Sequence, residues 1–357
     1  MISDEELGLI WFNYNGLNFA RVEKILKQFN KISCIFDKNL VKNAVFDDEE
    51  IKQKLLETDF EKFRNQIEDE FYKYDLTAVT FVSTAYPEKL KNISDPPLVL
   101  YCRGDISLLH KKSISIVGTR KPTDYGKLTC EKFTKELVSA GLVTVSGLAY
   151  GIDTTVAEST LKAGGKTIAV MGGGLDSIYP SQNKELSKRI SENGLLISEY
   201  PVRTKPANYS FIARNRIVSA LGLGLLIVEA GKASGTMSTA NFALEQGREL
   251  FAIPGNIYSP QSEGTNNLIN EIPDTFTISP DRILDRLKIK KKETKQTSVQ
   301  VDIIEDKILN ELSERELDFD ELCERTGISP SELSSKLVKL EMSDLVKKGS
   351  GNTYYKV

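Results

Sequence analysis

Apolar residues in the first 75 positions follow helical spacing. Leu7 and Ile10 begin one such set, and the apolar positions of 22–29 repeat it after a Gly-containing turn at 15–18. Two short helices joined in this way make a helix-hairpin-helix-like unit, which either presents backbone amides to a DNA phosphate or serves as a packing module. The acidic balance of the segment favours packing. A charged helix is predicted over 49–74.

Strand and helix patterns alternate through the middle of the chain. Continuous apolar runs separated by amphipathic stretches predict an α/β fold, with a parallel sheet covered by helices on both faces. In such sheets ligands bind at the carboxyl ends of the strands, near a switch in strand order. The predicted strands are 78–82, 98–101, 114–117, 142–145, 167–171, 195–197, 223–228 and 250–253. The predicted helices are 127–140, 154–163, 182–192, 212–221 and 236–247.

The end of the chain returns to helical spacing. Three helical stretches are predicted near 303–312, 319–325 and 330–342, and a β-hairpin is predicted over 345–357. Helix-turn-helix followed by a hairpin is the order of a winged helix. The predicted domains are therefore a helical hairpin at 1–75, an α/β domain at 76–287, a basic linker at 288–300 and a winged helix at 301–357.

Composition is typical of a folded globular protein, with 40% hydrophobic and 27% charged residues in a chain of 357. The acidic start is unlike a signal peptide, and no apolar run approaches the ~20 residues that span a bilayer. Four scattered cysteines and a single histidine, His110, argue against a disulfide framework and a multi-histidine metal site. We expect a cytoplasmic protein without a membrane segment or a bound metal.

Charge is unevenly distributed along the chain. Residues 1–75 and 301–357 each carry a net charge of −5, whereas 76–287 carry +3 and 288–300 carry +4. Most of these side chains are expected to be solvated surface charge. A polyanionic partner would be steered to the middle of the chain or to the linker.

Glycine and polar residues gather directly after six of the predicted strands. Gly118-Thr119-Arg120 follows one strand, Gly147 follows the next, and Gly172-Gly173-Gly174 follows a third. Backbone without side chains can approach a ligand closely, so these strand ends predict an anion or nucleotide-like site. Gly165-Lys166-Thr167 lacks the spacing of a P-loop, and no dinucleotide fingerprint follows the first strand. No cofactor is therefore predicted.

Arg214-Asn215-Arg216 is the sharpest polar cluster of the chain, and it follows Phe211 at the start of a predicted helix. Two guanidinium groups suit phosphate oxygens, and the neighbouring phenyl ring offers a stacking face for a base. Because the helix macrodipole disfavours arginine at a helix N-terminus, a bound anion explains the cluster better than surface arginines do.

These motifs, in this order, resemble the DNA processing protein A (DprA/Smf) family over about residues 80–270, and the three-part layout resembles that family as well. The stretches that carry the resemblance include Pro96-Pro97-Leu98, Ile116-Val117-Gly118-Thr119-Arg120, Ser146-Gly147-Leu148-Ala149, Gly151-Ile152-Asp153, Gly174-Leu175-Asp176, Tyr179-Pro180, Phe211 with Arg214-Asn215-Arg216, Ser234-Gly235-Thr236 and Pro254-Gly255.

The resemblance implies an extended Rossmann-like sheet with a helix-hairpin-helix (SAM-like) domain before it and a winged helix after it. It implies a dimeric, non-catalytic protein that binds single-stranded DNA, protects incoming DNA and loads the RecA recombinase in natural transformation and recombination. Carried over by motif, the residues expected to line the DNA pocket are Gly118, Thr119, Arg120, Phe211, Arg214, Asn215 and Arg216.

The chain departs from the family pattern at three places. Val156-Ala157 replaces the usual Ala-His, Ile212 replaces a proline, and Ile272-Pro273 replaces Gly-Ala. The missing histidine removes a polar group near the edge of the expected site, whereas the arginines are retained.

Two other functions remain as alternatives. The strand-loop pattern also resembles nucleoside-monophosphate phosphoribohydrolases, but Thr239 stands where their signature has the catalytic glutamate. The second alternative is that the protein is a winged-helix transcription factor. Its candidate recognition helix carries two acidic and two basic residues, which suits a protein contact or dimer support better than a phosphate-lined groove.

Overall fold

The computed structural model describes residues 2–232, 234–290, 302–313, 315–343 and 345–356. The chain divides into two compact units, residues 1–292 and 293–357. Most of the predicted linker, from 291 to 300, lies outside the described residues. The predicted boundary near residue 75 stays a prediction.

The helices and strands are numbered in chain order. The helices of the first unit are α1 (Asp4–Tyr14), α2 (Phe19–Leu26), α3 (Lys38–Asn43), α4 (Glu49–Glu57), α5 (Phe60–Tyr74), α6 (Glu88–Lys91), α7 (Asp124–Ser139), α8 (Ile152–Lys162), α9 (Lys184–Asn193), α10 (Asn208–Leu221), α11 (Gly235–Glu245), α12 (Glu263–Glu271) and α13 (Pro280–Arg286). Its strands are β1 (Thr77–Thr80), β2 (Val99–Gly104), β3 (Ser113–Val117), β4 (Val143–Ser146), β5 (Thr167–Met171), β6 (Leu195–Ser198), β7 (Gly224–Ile227) and β8 (Glu249–Ala252).

All eight predicted strands form one sheet, in the order β1-β2-β6-β5-β4-β3-β7-β8. The six strands from β3 to β8 pair in parallel, as predicted. The pattern of apolar runs did not indicate that β2 pairs antiparallel with both of its neighbours, β1 and β6. A parallel crossover usually needs a dozen or more residues, typically a helix of several turns. The four-residue α6 is the only helix described between β1 and β2.

Helices cover both faces of the sheet. Ile114 and Ile116 of β3 point into a core shared with α7, α8 and α13. Val117 of the same strand, together with β7, faces the core formed with α10 and α11. The strands therefore read as continuous apolar runs because both of their faces are buried. The predicted α/β class is confirmed.

The N-terminal helices pack against the sheet edge and do not stand apart from it. Trp11 and Phe12 of α1 are buried in a core that includes Tyr101 of β2. The prediction of one helix over 49–74 is wrong, because Asp59 accepts a hydrogen bond from the backbone N–H of Lys62 and starts α5 as a new helix.

The second unit is a winged helix, as predicted. It contains α14 (Ile303–Glu311), β9 (Leu317–Asp318), α15 (Phe319–Thr326), α16 (Pro330–Met342), β10 (Val346–Lys348) and β11 (Thr353–Lys356). Its sheet has the order β10-β11-β9, so the short β9 adds a third strand to the predicted hairpin. Leucines of all three helices form its core. Across the described parts of both units, no helix combines the length and apolar character needed to cross a bilayer.

Candidate nucleic-acid interface

The strand order places a switch point between β3 and β7. From β3 the chain proceeds through β4, β5 and β6 on one side, and it then returns to the other side of β3 as β7. Helices leave these two strands in opposite directions, so a crevice opens at their carboxyl ends. A cavity of about 550 Å³ lies there. Its lining includes residues from the segments 117–121, 147–153, 208–218 and 231–239, together with Gln261.

The segment after β3 is fixed by its own backbone. The N–H of Thr119 donates to the carbonyl of Glu229 over 2.7 Å, and its hydroxyl donates to Gln261 Oε1 over 2.9 Å. A Cβ at Gly118 would lie 2.6 Å from Cγ1 of Ile152, so a side chain cannot be accommodated without a shift. These contacts hold the backbone in place next to Arg120, whose side chain is exposed at the edge of the cavity.

Arg120 is an unpaired cation at the edge of the cavity. Its side chain is exposed, and among the residues that the structure describes no carboxylate forms an ion pair with it. Its guanidinium carbon lies 5.6 Å from the ring centroid of Phe211, which is within the range of a cation–π contact. Lys121 is also exposed and lines the same cavity. A free cation and an aromatic ring therefore stand side by side.

Arg214 forms the floor of the cavity and is already engaged. Its side chain is buried, and Nη1 donates to the carbonyls of Gly147, at 2.7 Å, and of Val170. Burial lowers the pKa of Arg214 and raises that of Asp153, and the attraction between the two opposite charges counteracts both shifts. The guanidinium thus ties the carboxyl ends of β4 and β5 together.

Arg216 lies outside the cavity lining. It forms a bidentate ion pair with Glu199, over 2.8 and 2.6 Å, and its Nε donates to the carbonyl of Asp95 over 2.9 Å. An α-helix turns by about 100° per residue, so two arginines separated by one position face different sides of α10. The structure thus brings six of the seven predicted residues to one cavity and places Arg216 elsewhere.

Asn215 connects two helices at the edge of the cavity. Its Nδ2 donates to the hydroxyl of Ser238 over 3.0 Å and to the carbonyl of Gly235 over 3.3 Å. The start of α11 lies here, and the Ser234 hydroxyl accepts a hydrogen bond from the backbone N–H of Thr236. The helix N-terminus adds partial positive charge to this side of the cavity.

Sequence reasoning missed Lys121, Asp153 and Gln261 as lining residues. The position of Lys121 in the cavity lining was predictable, because this residue directly follows the Gly-Thr-Arg motif. Asp153 belongs to the Gly-Ile-Asp stretch, but its burial and its attraction to Arg214 depend on tertiary structure. Gln261 comes from an irregular segment that carries no periodic signal.

Three residues bear on the alternative that the protein is an enzyme: Thr239, Glu229 and His110. Thr239 lines the cavity at the position where the hydrolase signature requires glutamate. Glu229 accepts hydrogen bonds from the backbone and the hydroxyl of Thr123, at 2.9 and 2.5 Å, and so holds the start of α7. His110 lies outside the cavity lining, where its ring contacts the carbonyl of Ala85 over 3.0 Å.

The chain combines a Rossmann-like sheet, a cavity at its switch point and a winged helix. The family model described as DNA recombination-mediator protein A matches residues 77–288, and the model described as DprA winged helix domain matches 292–352. The chain belongs to the DNA recombination-mediator protein A family, and the resemblance inferred from its motifs is confirmed.

Individual relatives agree with this assignment. The chain is 41% identical over 227 residues to DNA processing protein DprA of Bacillus subtilis, which covers 62% of this chain and 76% of the relative. It is similar to the X-ray structure of DprA from Streptococcus pneumoniae, with a TM-score of 0.69, 32% identity and coverage of 80% of this chain and 98% of that one. A DprA structure from Helicobacter pylori, studied for its single-stranded DNA binding mode, gives a TM-score of 0.55 and 34% identity. The match covers 60% of this chain and 97% of that one.

Proposed function

We propose that this protein binds single-stranded DNA in the switch-point cavity, protects incoming DNA and loads the RecA recombinase onto it during natural transformation and recombination. It acts as a homodimer in the cytoplasm and catalyses no reaction. The observation that carries the proposal is the unpaired Arg120 beside Phe211 at the edge of the cavity. Membership of the family and the similarity to the Helicobacter protein support it.

A cation beside an aromatic ring matches the chemistry of a single strand. The guanidinium of Arg120 offers charge-assisted hydrogen bonds to a phosphate, and an aromatic surface stacks on any base. Bases of a duplex are already stacked and paired inside the helix, so an aromatic surface gains little from them. The arrangement therefore favours single-stranded over double-stranded DNA and gives little sequence preference.

The predicted residues divide by role. We propose that Arg120, with the backbone of Gly118 and Thr119, contacts the strand, and that Phe211 and Asn215 form the adjoining wall. Arg214 acts beneath these residues, because its Nη1 donates to main-chain carbonyls.

We propose that Arg216 supports the fold through Glu199 and makes no contact with the strand. Its ion pair is largely enclosed, with only 10% of the arginine side chain and 13% of the glutamate side chain exposed. A phosphate could reach this guanidinium only by displacing a bidentate carboxylate.

The cavity lacks the groups that hydrolysis of a nucleoside monophosphate requires. Within the described lining, Asp153 is the only carboxylate, and it lies buried opposite Arg214. Thr239 cannot serve as a general acid or base at neutral pH. Incubation with nucleoside monophosphates should therefore release no free base above the buffer control.

Binding of fluorescent oligonucleotides of equal length, one single-stranded and one duplex, tests the proposal. We expect the single strand to bind at least about tenfold more tightly, and Arg120→Ala to weaken that binding. Arg189→Ala is a matched control, because Arg189 is an exposed arginine of α9 outside the cavity lining. Equal affinity for both DNA forms would refute the proposal.

The recombinase step and the dimer are tested separately. The readout for loading is the lag before DNA-dependent ATP hydrolysis by RecA on a strand coated with single-strand-binding protein. We expect the wild-type chain to shorten the lag and Arg120→Ala to leave it unchanged. Sedimentation should give twice the monomer mass. A persistent lag with intact DNA binding would remove the loading role alone.

A further inference from the structure

We propose that Tyr179, which lies outside the cavity lining, provides the exposed aromatic face on which a base of the bound strand stacks, with Phe211 as the ring that supports it. The inference rests on the proposed function, because it names a further binding residue on the same surface. Neither the sequence motifs nor the family resemblance gave Tyr179 a role.

The rings of Tyr179 and Phe211 are in contact. Their centroids are 5.6 Å apart with an interplanar angle of 36°, within the range of favourable aromatic pairs. The surface of Phe211 is already partly occupied. Arg120 lies over its ring, and Gly172 packs so closely that a Cβ there would lie 2.7 Å from Cδ1 of Phe211. Tyr179, in contrast, is 49% exposed. The free aromatic area beside the cavity is thus on Tyr179.

The segment that carries Tyr179 is held at both ends. On its C-terminal side, Nδ2 of Asn183 donates to the carbonyl of Leu148 over 3.0 Å and to the Thr154 hydroxyl over 2.9 Å. On its N-terminal side, the hydroxyl of Ser198 donates to the carbonyl of Gly173 over 2.7 Å. A backbone segment anchored before binding loses less conformational entropy when a base stacks on the ring that it carries.

A further contact ties this segment to the edge of the cavity. The hydroxyl of Tyr150, which follows β4, donates to the side chain of Gln182. Gln182 lies three positions after Tyr179, and Ala149, next to Tyr150, lines the cavity. The aromatic surface and the cavity therefore share one framework, which suits a strand that passes from one to the other.

Phosphate and base contacts are separated in this arrangement. Arg120 provides the charge and Tyr179 the free ring, and Phe211 lies in contact with both. Loss of the ring should remove stacking without removing a phosphate contact. The affinity for a base-bearing strand should then fall while its salt dependence stays unchanged.

The test compares Tyr179→Leu with wild type on an oligothymidylate and on an abasic strand with the same number of phosphates. We expect about 5- to 150-fold weaker binding of the oligothymidylate, the range that corresponds to stacking of one base. Binding of the abasic strand and the salt slope should be unchanged. Tyr179→Phe should retain wild-type affinity, because the ring and not the hydroxyl stacks. Tyr72→Leu is a control at a 92% exposed tyrosine of α5.

Wild-type affinity of Tyr179→Leu for the oligothymidylate would overturn the inference. An equal loss on the abasic strand would overturn it as well, because that result indicates a purely structural role. If the leucine variant does not fold, Tyr179→Trp reports directly: its indole emission should be quenched by the oligothymidylate and not by the abasic strand. Unquenched emission on binding would contradict the inference and leave the proposed function intact, whereas absence of any strand binding by the wild type would overturn the proposed function.

Discussion

The cavity of the first unit and the helix α16 of the winged helix both carry cations, but their pairing differs. Arg120 and Lys121 make no ion pair among the described residues. Lys336 forms an ion pair with Asp302, and Lys339 forms one with Glu305 over 2.7 Å. The number of basic residues is thus similar in the two regions, whereas the number of cations free to meet a phosphate is not.

The pairing in the winged helix starts with a helix cap. Glu305 accepts the backbone N–H of Asp302 over 3.1 Å, which closes a capping box and places its carboxylate below α16. Burial alone would raise the pKa of Glu305, but the hydrogen bond from Lys339 and the one from the Asp302 amide turn the net shift downward. This helix is therefore better suited to a protein contact than to duplex DNA, which stays a prediction.

Arg214→Met should cause the largest loss of stability, because this arginine supports the floor of the cavity. The change leaves Asp153 buried without its counter-charge and frees two carbonyls, which costs about 3–5 kcal/mol of unfolding free energy. Affinity for single-stranded DNA should fall as well, because the ends of β4 and β5 lose their common donor. Urea unfolding and oligonucleotide binding measure the two effects.

Arg216→Met is the matched control on the same helix. It breaks the ion pair with Glu199 and should also destabilise the fold, but a folded preparation should bind the oligonucleotide as wild type does. A larger binding loss for Arg216→Met than for Arg214→Met would show that we assigned the two arginines the wrong way round.

Gly147→Ala should cause the second largest loss of stability. The added methyl group would overlap the guanidinium of Arg214, so the floor of the cavity must shift, at a cost of about 2–3 kcal/mol. Gly235→Ala is the control, because a Cβ there meets no atom within 4 Å. Thermal melts should show a lower Tm for Gly147→Ala alone, and equal Tm values would contradict the packing of Arg214 on Gly147.

Local patterns predicted more of the fold than of the site. The β-branched runs located all eight strands, because each run reflects burial of its own residues. The division of 49–74 at Asp59 was missed, although aspartate is a typical N-cap. The motifs assigned Gly118, Thr119, Arg120 and Phe211 to one site, and all four line the cavity.

What the sequence could not show was which cations have partners. Arg216 meets Glu199, which directly follows β6. Arg214 meets the carbonyl of Gly147, which directly follows β4, and a carbonyl of β5, so the partners of both arginines depend on tertiary structure. The macrodipole argument for a bound anion stays a prediction for Arg214, which lies in the second turn of α10 and donates from Nη1 to main-chain carbonyls.

Replacing both Lys336 and Lys339 by methionine tests the other side of the comparison. The Glu305 carboxylate loses its cations, so the winged helix should lose stability, and the loss should be small because the two lysines are partly screened by solvent. Glu305 has a lowered pKa in the folded state, so its contribution to stability disappears as pH falls below its ordinary value of 4.5. In the double variant that loss should begin at higher pH. Affinity for single-stranded DNA should not change.

Lys89 is a third kind of cation, because its hydrogen-bond partners are neutral. Its replacement should change the free energy of unfolding least. Its ammonium donates to the carbonyl of Leu221 over 2.9 Å, and burial, together with nearby Arg248, lowers its pKa to about 8. The unfolded chain binds more protons between pH 8 and 10.5, so wild type should gain stability relative to Lys89→Met as pH rises through that range. The gain should be below about 1 kcal/mol after screening. If the difference in unfolding free energy between wild type and Lys89→Met does not change with pH, this prediction is wrong.

The salt dependence of single-strand affinity tests the central claim most directly. Each phosphate contact contributes about 0.7 to the slope of log affinity against log salt for a single strand. Our account predicts that Arg120→Ala lowers the slope by about that amount, and that the Lys336 and Lys339 double variant keeps the wild-type slope. A wild-type slope in folded Arg120→Ala, with a reduced slope in the winged-helix variant, would place the DNA on the other unit.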